Sequence, residues 1–327
     1  HPLIYSNEII SDRRTKSLLP GSLCTLVDYN KNPICLVTVN PNSKIFARVM
    51  DYNLETTINA YWLKDKISKA LAKRKEIFRD PFYRLVNAEA DELPGLIVDR
   101  FDNVIVMQPN AFWAENMSEI IANSIKEVCS IDVVIKNASG RSRRLEGLDD
   151  KNSVFFGDLP EAAISVPMNG AIYKADVHEG QKTGLFYDQR QNHKFVASLA
   201  NGKTVLDVFC HVGGFGLAAI AAGASKVSFV DSSANALDLV REGASEMMAS
   251  SKMNIIRGDA FSVLRKLLES DNSYDIVICD PPAFVTSRKS LNSGLRAYEK
   301  IAKLGSSLVS ENGILALCSC SQLADLT

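Results

Sequence analysis

Apolar positions divide the chain into stretches of different period. Before about residue 60 they come in short runs: Ser22–Asp28 and Ile34–Val39, joined by the Asn- and Pro-containing turn Tyr29–Pro33, then Ile45–Val49 after the turn Asn40–Ser43. Runs at this spacing predict a small barrel or curled sheet. From Tyr61 to Arg84 the spacing becomes helical, and strands at Leu96–Asp99, Val104–Gln108 and Asp132–Ile135 then flank a helix over about Ala114–Cys129. That predicts a compact α+β module. Ile164–Val177 alternates again. From Thr204 onward strand and helix follow each other regularly: strands at Thr204–Phe209, Val227–Val230, Asn254–Ile256, Asp275–Cys279 and Ile314–Cys318, with helices at Leu217–Ala222, Ala234–Met248, Phe261–Glu269 and about Leu295–Val309. Five such strands predict a parallel, doubly wound α/β sheet.

Length and composition agree with this division. The 327 residues exceed one ordinary domain, and 46% hydrophobic with 23% charged residues is globular composition, against disorder. No apolar run approaches the roughly 20 residues that cross a bilayer, so no membrane is expected as a partner. The 37 Lys+Arg against 38 Asp+Glu give a formal net charge of −1, so any nucleic-acid surface must be local. Two basic clusters qualify. Lys64, Lys66, Lys69, Lys73, Arg74, Lys75, Arg79 and Arg84 stand against Asp65, Glu76 and Asp80, and Lys136, Arg141, Arg143 and Arg144 share a Gly/Ser-containing loop. A solvated face is the usual meaning of such runs; two of them in a neutral chain point toward phosphate contacts. The seven cysteines, Cys24, Cys35, Cys129, Cys210, Cys279, Cys318 and Cys320, are odd in number and scattered, which fits reduced thiols in a cytoplasm and no metal site. His1–Ile9 shows no signal-peptide pattern and no initiator Met.

A doubly wound sheet binds ligands beyond the carboxyl ends of its strands. Here the first strand runs through Asp207 into Cys210-His211-Val212-Gly213-Gly214-Phe215-Gly216. The next three end in Asp231-Ser232, Gly258-Asp259-Ala260 and Asp280-Pro281-Pro282, and the fifth in Cys318-Ser319-Cys320-Ser321. Alone, a glycine-rich turn is a tight turn and an Asp after a strand is a common helix cap. Together they describe a nucleoside pocket. The glycines admit a ligand tail, Asp231, 24 positions after Asp207, stands where an acid accepts both ribose hydroxyls, and Asp259 can accept from an adenine amine.

Val205–Gly216, Asp231, Asp259 and Asp280-Pro281-Pro282 resemble the ordered motifs of class I S-adenosylmethionine-dependent methyltransferases. Gly180–Asn192, the Asp207–Phe215 stretch, the Ser-Cys-Ser at 319–321 and Pro94–Asp99 resemble, more narrowly, the bacterial ribosomal RNA large subunit methyltransferase I family. The resemblance covers most of the chain. It implies a PUA-like β-barrel over 1–70, a middle α+β domain over 71–179 and a Rossmann-like catalytic domain over 180–327. It also implies S-adenosyl-L-methionine as cofactor, held by Phe186, Arg190, Asp207, Gly213, Gly214, Asp231, Ser232, Asp259, Ala260 and Asp280, with Phe186 and Tyr187 as an apolar wall and Arg190 as a carboxylate partner. Ribosomal RNA is the implied partner, a cytoplasmic place is expected, and a homodimer is one assembly open to the chain.

The chemistry implied is methylation at carbon 5 of a cytosine in 23S ribosomal RNA. That carbon is a weak nucleophile until a thiolate adds at carbon 6, and a base must later remove the carbon-5 proton. Cys320 aligns with the family's Ser-Cys-Ser cysteine and is the expected nucleophile. Cys318 lies on the same strand face as a second candidate, Cys279 reads as core, and Asp280 would favour protonation of the ring nitrogen beside the target. Amine methyltransferases place an aromatic directly after Asp/Asn-Pro-Pro; here Ala283 comes first and Phe284 one place later. Lys182, Arg141, Arg143, Arg144, Arg288 and Lys289 are the expected RNA contacts. Family members continue past the Ser-Cys-Ser with a helix and an antiparallel strand pair, whereas this chain stops at Thr327, so a missing piece is expected. Gln322-Leu323 follows where other members vary. Three other readings stay open: the same fold and cofactor acting on another base atom or substrate with structural cysteines, a nucleotide-dependent oxidoreductase (for which Asp280-Pro281-Pro282 has no use), and a non-catalytic RNA-binding module.

Overall fold

A computed structural model describes residues 1–177 and 183–321. The chain folds as two compact units, residues 1–162 with 176–184 and residues 163–175 with 185–327.

The first unit begins with β1 (Leu3–Tyr5), α1 (Arg13–Lys16), β2 (Leu23–Val27), β3 (Pro33–Val39) and β4 (Ile45–Asp51), an antiparallel sheet ordered β1-β4-β3-β2. Cys35, Val37, Val39, Phe46 and Ala47 form its core. Next, α2 (Ala60–Ile77) is capped by the Asn59 side chain, which accepts from the amides of Tyr61 and Trp62. It stops short of Pro81, a residue that can neither donate to nor fit inside a helix. Phe82–Asn87 is a strand, β5, so the helical reading through Arg84 overruns by one element. Strands β5, β6 (Leu96–Phe101), β7 (Val104–Pro109), β8 (Val133–Lys136) and β9 (Ser153–Phe156) pair in that order, and only β7 and β8 run parallel. The crossover between them holds α3 (Phe112–Asn116) and α4 (Ser118–Cys129), one helix in the sequence reading. Between β8 and β9 lies the short helix α5 (Arg141–Glu146). A buried ion pair joins β4 to α5: Arg48 Nη2 lies 2.6 Å from Glu146 Oε1, and Glu146 also accepts from Asn40 and Ser43.

The second unit opens with the hairpin β10 (Ile164–Met168) and β11 (Ala171–Ala175), followed by α6 (Arg190–Ala197). Then come β12 (Thr204–Val208), α7 (Gly214–Ala221), β13 (Lys226–Asp231), α8 (Ala234–Glu246), β14 (Met253–Arg257), α9 (Ala260–Glu269), β15 (Tyr274–Cys279), α10 (Leu291–Ser307) and β16 (Val309–Leu317). The sheet order is β14-β13-β12-β15-β16, all parallel. Because helices cover such a sheet on its faces, its strands read as nearly continuous apolar runs. Leu206, Val208, Val230, Val277 and Ile301 share one core, and each aliphatic side chain fully buried there contributes roughly 1.5–3 kcal/mol. The strand order reverses between β13-β12 and β15, which places the switch point beside the end of β12. The β16 strand starts five residues earlier than the sequence suggests. Asn312-Gly313, a turn signal, is absorbed as an irregularity opposite Tyr274–Ile276, with Asn312 at φ +60°.

Candidate functional site

Beyond the end of β12 the backbone leaves ordinary conformations. Phe209, His211 and Gly213 all have positive φ, +61°, +50° and +82°. For a bulky residue such as Phe this region is strained, and strain of this kind collects where a loop must present its backbone to something else. Two contacts hold it: the Cys210 amide donates to the Val230 carbonyl at 3.1 Å, and the His211 amide to Asp231 Oδ2 at 2.9 Å. Glycine is required next. A Cβ on Gly214 would lie 2.5 Å from His193 Cε1, and one on Gly216 would lie 2.2 Å from Phe229 Cε1. The glycines thus bring the start of α7 against α6 and the sheet, and among its first amides that of Gly216 is taken by Asp207.

The carboxylates follow at the strand ends. Asp207 is 1% exposed; its Oδ2 accepts the Gly216 amide at 2.8 Å, whereas Oδ1 is buried with no hydrogen-bond partner among the described residues. Burial pushes its pKa up to about 7, against the lowering effect of the Gly216 bond, and the charges of Asp280 and Asp231 raise it further. Asp231 receives the Ser233 amide on Oδ1 at 2.9 Å, so each oxygen is oriented by one backbone donor and keeps lone-pair capacity. Asp259 caps α9 through Oδ1, which accepts the Ser262 amide and hydroxyl. Asp280 is half-buried, with Gln189 Nε2 3.4 Å from its Oδ2. Ser232 is exposed at the tip of β13 and Ala260 is buried at the start of α9. Phe186 meets His211 edge-on at 5.0 Å, and Arg190 opens α6 with its carbonyl bound by Asn169 Nδ2. These residues therefore gather at one end of one sheet.

Sequence reasoning missed the support behind the glycine turn. Tyr173 Oη donates to the Gly214 carbonyl at 3.0 Å, and His193, 4% exposed, packs its ring edge-on against Phe215 at 4.5 Å. Burial pulls the His193 pKa down to about 4, so the ring is neutral at ordinary pH, and its Nδ1 has no partner among the described residues. Nothing in the local sequence marks either residue, since each acts on a turn far along the chain.

The cysteine end lies next to the Asp280 end. Cys279 pairs with Leu317, and the Cys318 amide donates to the Cys279 carbonyl at 2.9 Å. Cys279 is fully buried, and burial pushes its thiol up to about 12. Cys318 is half-buried and also pushed up to about 12, first by burial and then by the charges of Asp280 and Asp207. Cys320 is exposed. Phe284 is committed to packing, 6.2 Å from Phe209, 6.0 Å from Phe261 and 4.9 Å from Tyr298.

The basic residues divide. Arg288 and Lys289 are exposed in the turn before α10, and Arg141 and Arg144 are exposed on α5. Arg143 is not on the surface: it is fully buried, donating to the Pro109 carbonyl, to Glu115 Oε2 at 2.7 Å and to the Asp149 carbonyl at 3.0 Å. Its expected RNA contact is therefore withdrawn, because its donors are spent on the fold. Lys136 is likewise buried against Glu115. In the first cluster Lys64, Lys66, Lys69, Arg74 and Arg84 pair with Glu127, Glu92, Asp65, Asp91 and Asp99, so most of that local excess is neutralised within the chain. Lys182 lies outside the described residues, as do Gly180, Gln181 and Gln322-Leu323.

Comparison with known proteins decides the family. Residues 144–324 match the model of S-adenosylmethionine-dependent methyltransferases, and residues 1–52 that of PUA-like domains. The ribosomal RNA large subunit methyltransferase I of Shewanella amazonensis is 34% identical over 336 residues, covering 100% of this chain and 83% of that protein. That of Shewanella denitrificans is 32% identical over 329 residues, covering 99% and 83%. The chain belongs to the ribosomal RNA large subunit methyltransferase I family of S-adenosylmethionine-dependent methyltransferases. Among solved structures, a SAM-dependent methyltransferase from Streptococcus mutans shares the fold at a TM-score of 0.84 with 20% identity, covering 99% of this chain and 83% of that one. A second methyltransferase of this fold, SMU.776, was solved complexed with SAH (TM-score 0.82, 20% identity, covering 97% and 80%). Family membership accounts for the three-part order of a PUA-like antiparallel β domain, a mixed α+β domain and a Rossmann-like sheet. It removes the oxidoreductase reading.

The methyltransferase site suits its cofactor on physical grounds. The charges of Asp280 and Asp231 raise the affinity of Asp207 for positive charge, and S-adenosylmethionine carries a sulfonium and an ammonium group. A buried, unpaired Asp207 Oδ1 is the acceptor such a ligand would satisfy. Since Asp207 holds a proton below about pH 7, affinity for S-adenosylmethionine is expected to rise as pH increases through 7 and then level off. Titration calorimetry between pH 5.5 and 8.5 checks this, and Asp207→Asn should flatten the profile. In the free protein the sign is opposite: the raised carboxyl costs stability as pH climbs from about 4 to about 7.

Proposed function

We propose that this protein methylates carbon 5 of a cytosine in large-subunit (23S) ribosomal RNA through a transient bond to Cys320. The curated relatives carry ribosomal RNA of the large subunit in their names, which supports the substrate. The observation that carries the mechanism is the pairing of strand ends: an exposed thiol at Cys320 follows β16, and Asp280 directly follows its neighbour β15. Asp207, Asp231, Asp259 and the Gly213-Gly214 turn, with Phe186, Arg190, Ser232 and Ala260, would hold S-adenosylmethionine, which would supply an electrophilic methyl group and leave as S-adenosylhomocysteine. Cys320 Sγ bonds to carbon 6 of the ring, and the displaced π pair makes carbon 5 nucleophilic. Asp280 favours a proton on ring nitrogen 3, which is conjugated through carbon 4 with the carbon 5–carbon 6 double bond, so that electron density is drawn from carbon 6 and the attack is aided. After transfer, loss of the carbon-5 proton to a base restores the double bond and expels the thiolate.

Two further observations favour this reading, the first over methylation of an exocyclic amine and the second over attack by Cys318. The ring of Phe284 is packed among three aromatic side chains rather than presented to a base. Cys318, the competing thiol, is held in its neutral form by burial and by Asp280. We assign exposed Arg141, Arg144, Arg288 and Lys289 to RNA phosphates, and with them Lys182, which lies outside the described residues. A target inside a stem would be flipped out to reach the thiol.

The test is methyl transfer from labelled S-adenosylmethionine to unmodified large-subunit ribosomal RNA, followed by nucleoside analysis. The expected product is 5-methylcytidine at one position. Any other methylated nucleoside overturns the assignment of atom, and binding without transfer makes the chain an RNA-binding module.

A further inference from the structure

Two hydroxyls, that of buried Ser321 and that of half-buried Tyr298, join the loop after β15 to the loop after β16. Ser321, next to Cys320, is 6% exposed; its Oγ accepts the Val285 amide at 3.1 Å and lies 2.8 Å from Tyr298 Oη. Tyr298 Oη also accepts the Phe284 amide at 3.4 Å, and its ring lies against that of Phe284 at 4.9 Å. Phe284 and Val285 directly follow Asp280-Pro281-Pro282-Ala283. Tyr298 itself rises from α10, whose Ile301 sits in the same core as Cys279. One helix therefore anchors both the segment that follows Asp280 and the residue beside Cys320.

Apolar side chains of equal size would fill this space, but they would let the two loops slide. Hydrogen bonds fix distance and direction, and a mutually satisfied pair of hydroxyls favours one arrangement. Attack of a thiolate on carbon 6 requires that kind of precision, since a displacement of about 1 Å costs on the order of a hundredfold in rate. We propose that Tyr298, acting through Ser321, is a positioning residue that holds the Cys320 thiol in register with Asp280. This rests on the reading of Cys320 as nucleophile.

Tyr298→Phe keeps the ring on Phe284 and removes only the hydroxyl. Its kcat for methyl transfer to a large-subunit ribosomal RNA transcript should fall about tenfold or more, while KM for RNA and affinity for S-adenosylhomocysteine stay unchanged. With a transcript containing 5-fluorocytidine, whose carbon-5 fluorine cannot leave as a proton does, the covalent protein–RNA adduct should form more slowly to the same degree. Ser321→Ala should behave alike, and Ser321→Thr, which retains a hydroxyl, should restore most of the rate. Wild-type rates in Tyr298→Phe and Ser321→Ala overturn the proposal. So does a rate loss matched by equal losses in S-adenosylhomocysteine affinity and melting temperature, which would make the pair merely structural. Failure of the underlying reading looks different: the wild-type protein would form no adduct, or Cys320→Ala would still methylate RNA.

Discussion

Cys320→Ala is expected to abolish methyl transfer to ribosomal RNA while leaving S-adenosylhomocysteine binding and stability as they are. Removing a covalent nucleophile costs orders of magnitude in kcat, here about a thousandfold or more, because the remaining groups can bind but cannot activate carbon 5. Stability should not change, since Cys320 is exposed and its truncation opens no cavity. The neighbouring thiol gives the internal control. Cys318→Ala removes a half-buried sulfur that burial and two carboxylates keep protonated, so it should lower kcat by severalfold at most. The reverse pattern, an inactive Cys318→Ala beside an active Cys320→Ala, would move the nucleophile two residues back. Retained activity in both would return the site to direct transfer without a covalent step. Transfer kinetics and S-adenosylhomocysteine titration on the two variants distinguish these outcomes.

The legible part of this site is the part written along single strands. Parallel strands covered on both faces announce themselves as apolar runs, and a residue at the end of each run is placed by that fact alone. Asp207, Asp231, Asp259, Asp280 and Cys320 are all placed in this way, because β12 to β16 form one sheet with their ends aligned. What stays hidden depends on bonds between distant segments. Tyr173 supports Gly214 from 41 residues away and Ser321 reaches Val285 across 36, and neither bond leaves a local mark. Element boundaries shift where local signals conflict: Asp80-Pro81 ends α2, yet Phe82–Asn87 continues the apolar pattern as a strand, and Asn312-Gly313 reads as a turn inside what pairs as β16. Charge misleads for a similar reason. A run of arginines is a surface in the sequence until a partner far along the chain takes one of them inward.

Arg143 is that residue, and its replacement carries the second large effect. Arg143→Ala should destabilise the first unit by about 3–5 kcal/mol, the cost of leaving buried partners without their cation. It would strip Glu115 and the carbonyls of Pro109 and Asp149 of donors at once, beside a Lys136 that shares Glu115. For a domain of this size that corresponds to a fall of about 10 °C in melting temperature. Its neighbours on α5 should behave in the opposite way. Neutralising exposed Arg141 and Arg144 should change stability by less than about 0.5 kcal/mol, yet weaken RNA binding and flatten its dependence on salt by about one unit of slope for each phosphate left without its cation. Calorimetric melting and RNA titrations over a range of salt, run on both variants, separate the two roles. A stable Arg143→Ala that binds RNA weakly would return Arg143 to the RNA surface, and unchanged binding in the Arg141/Arg144 variant would make the exposed face of α5 an ordinary solvated one.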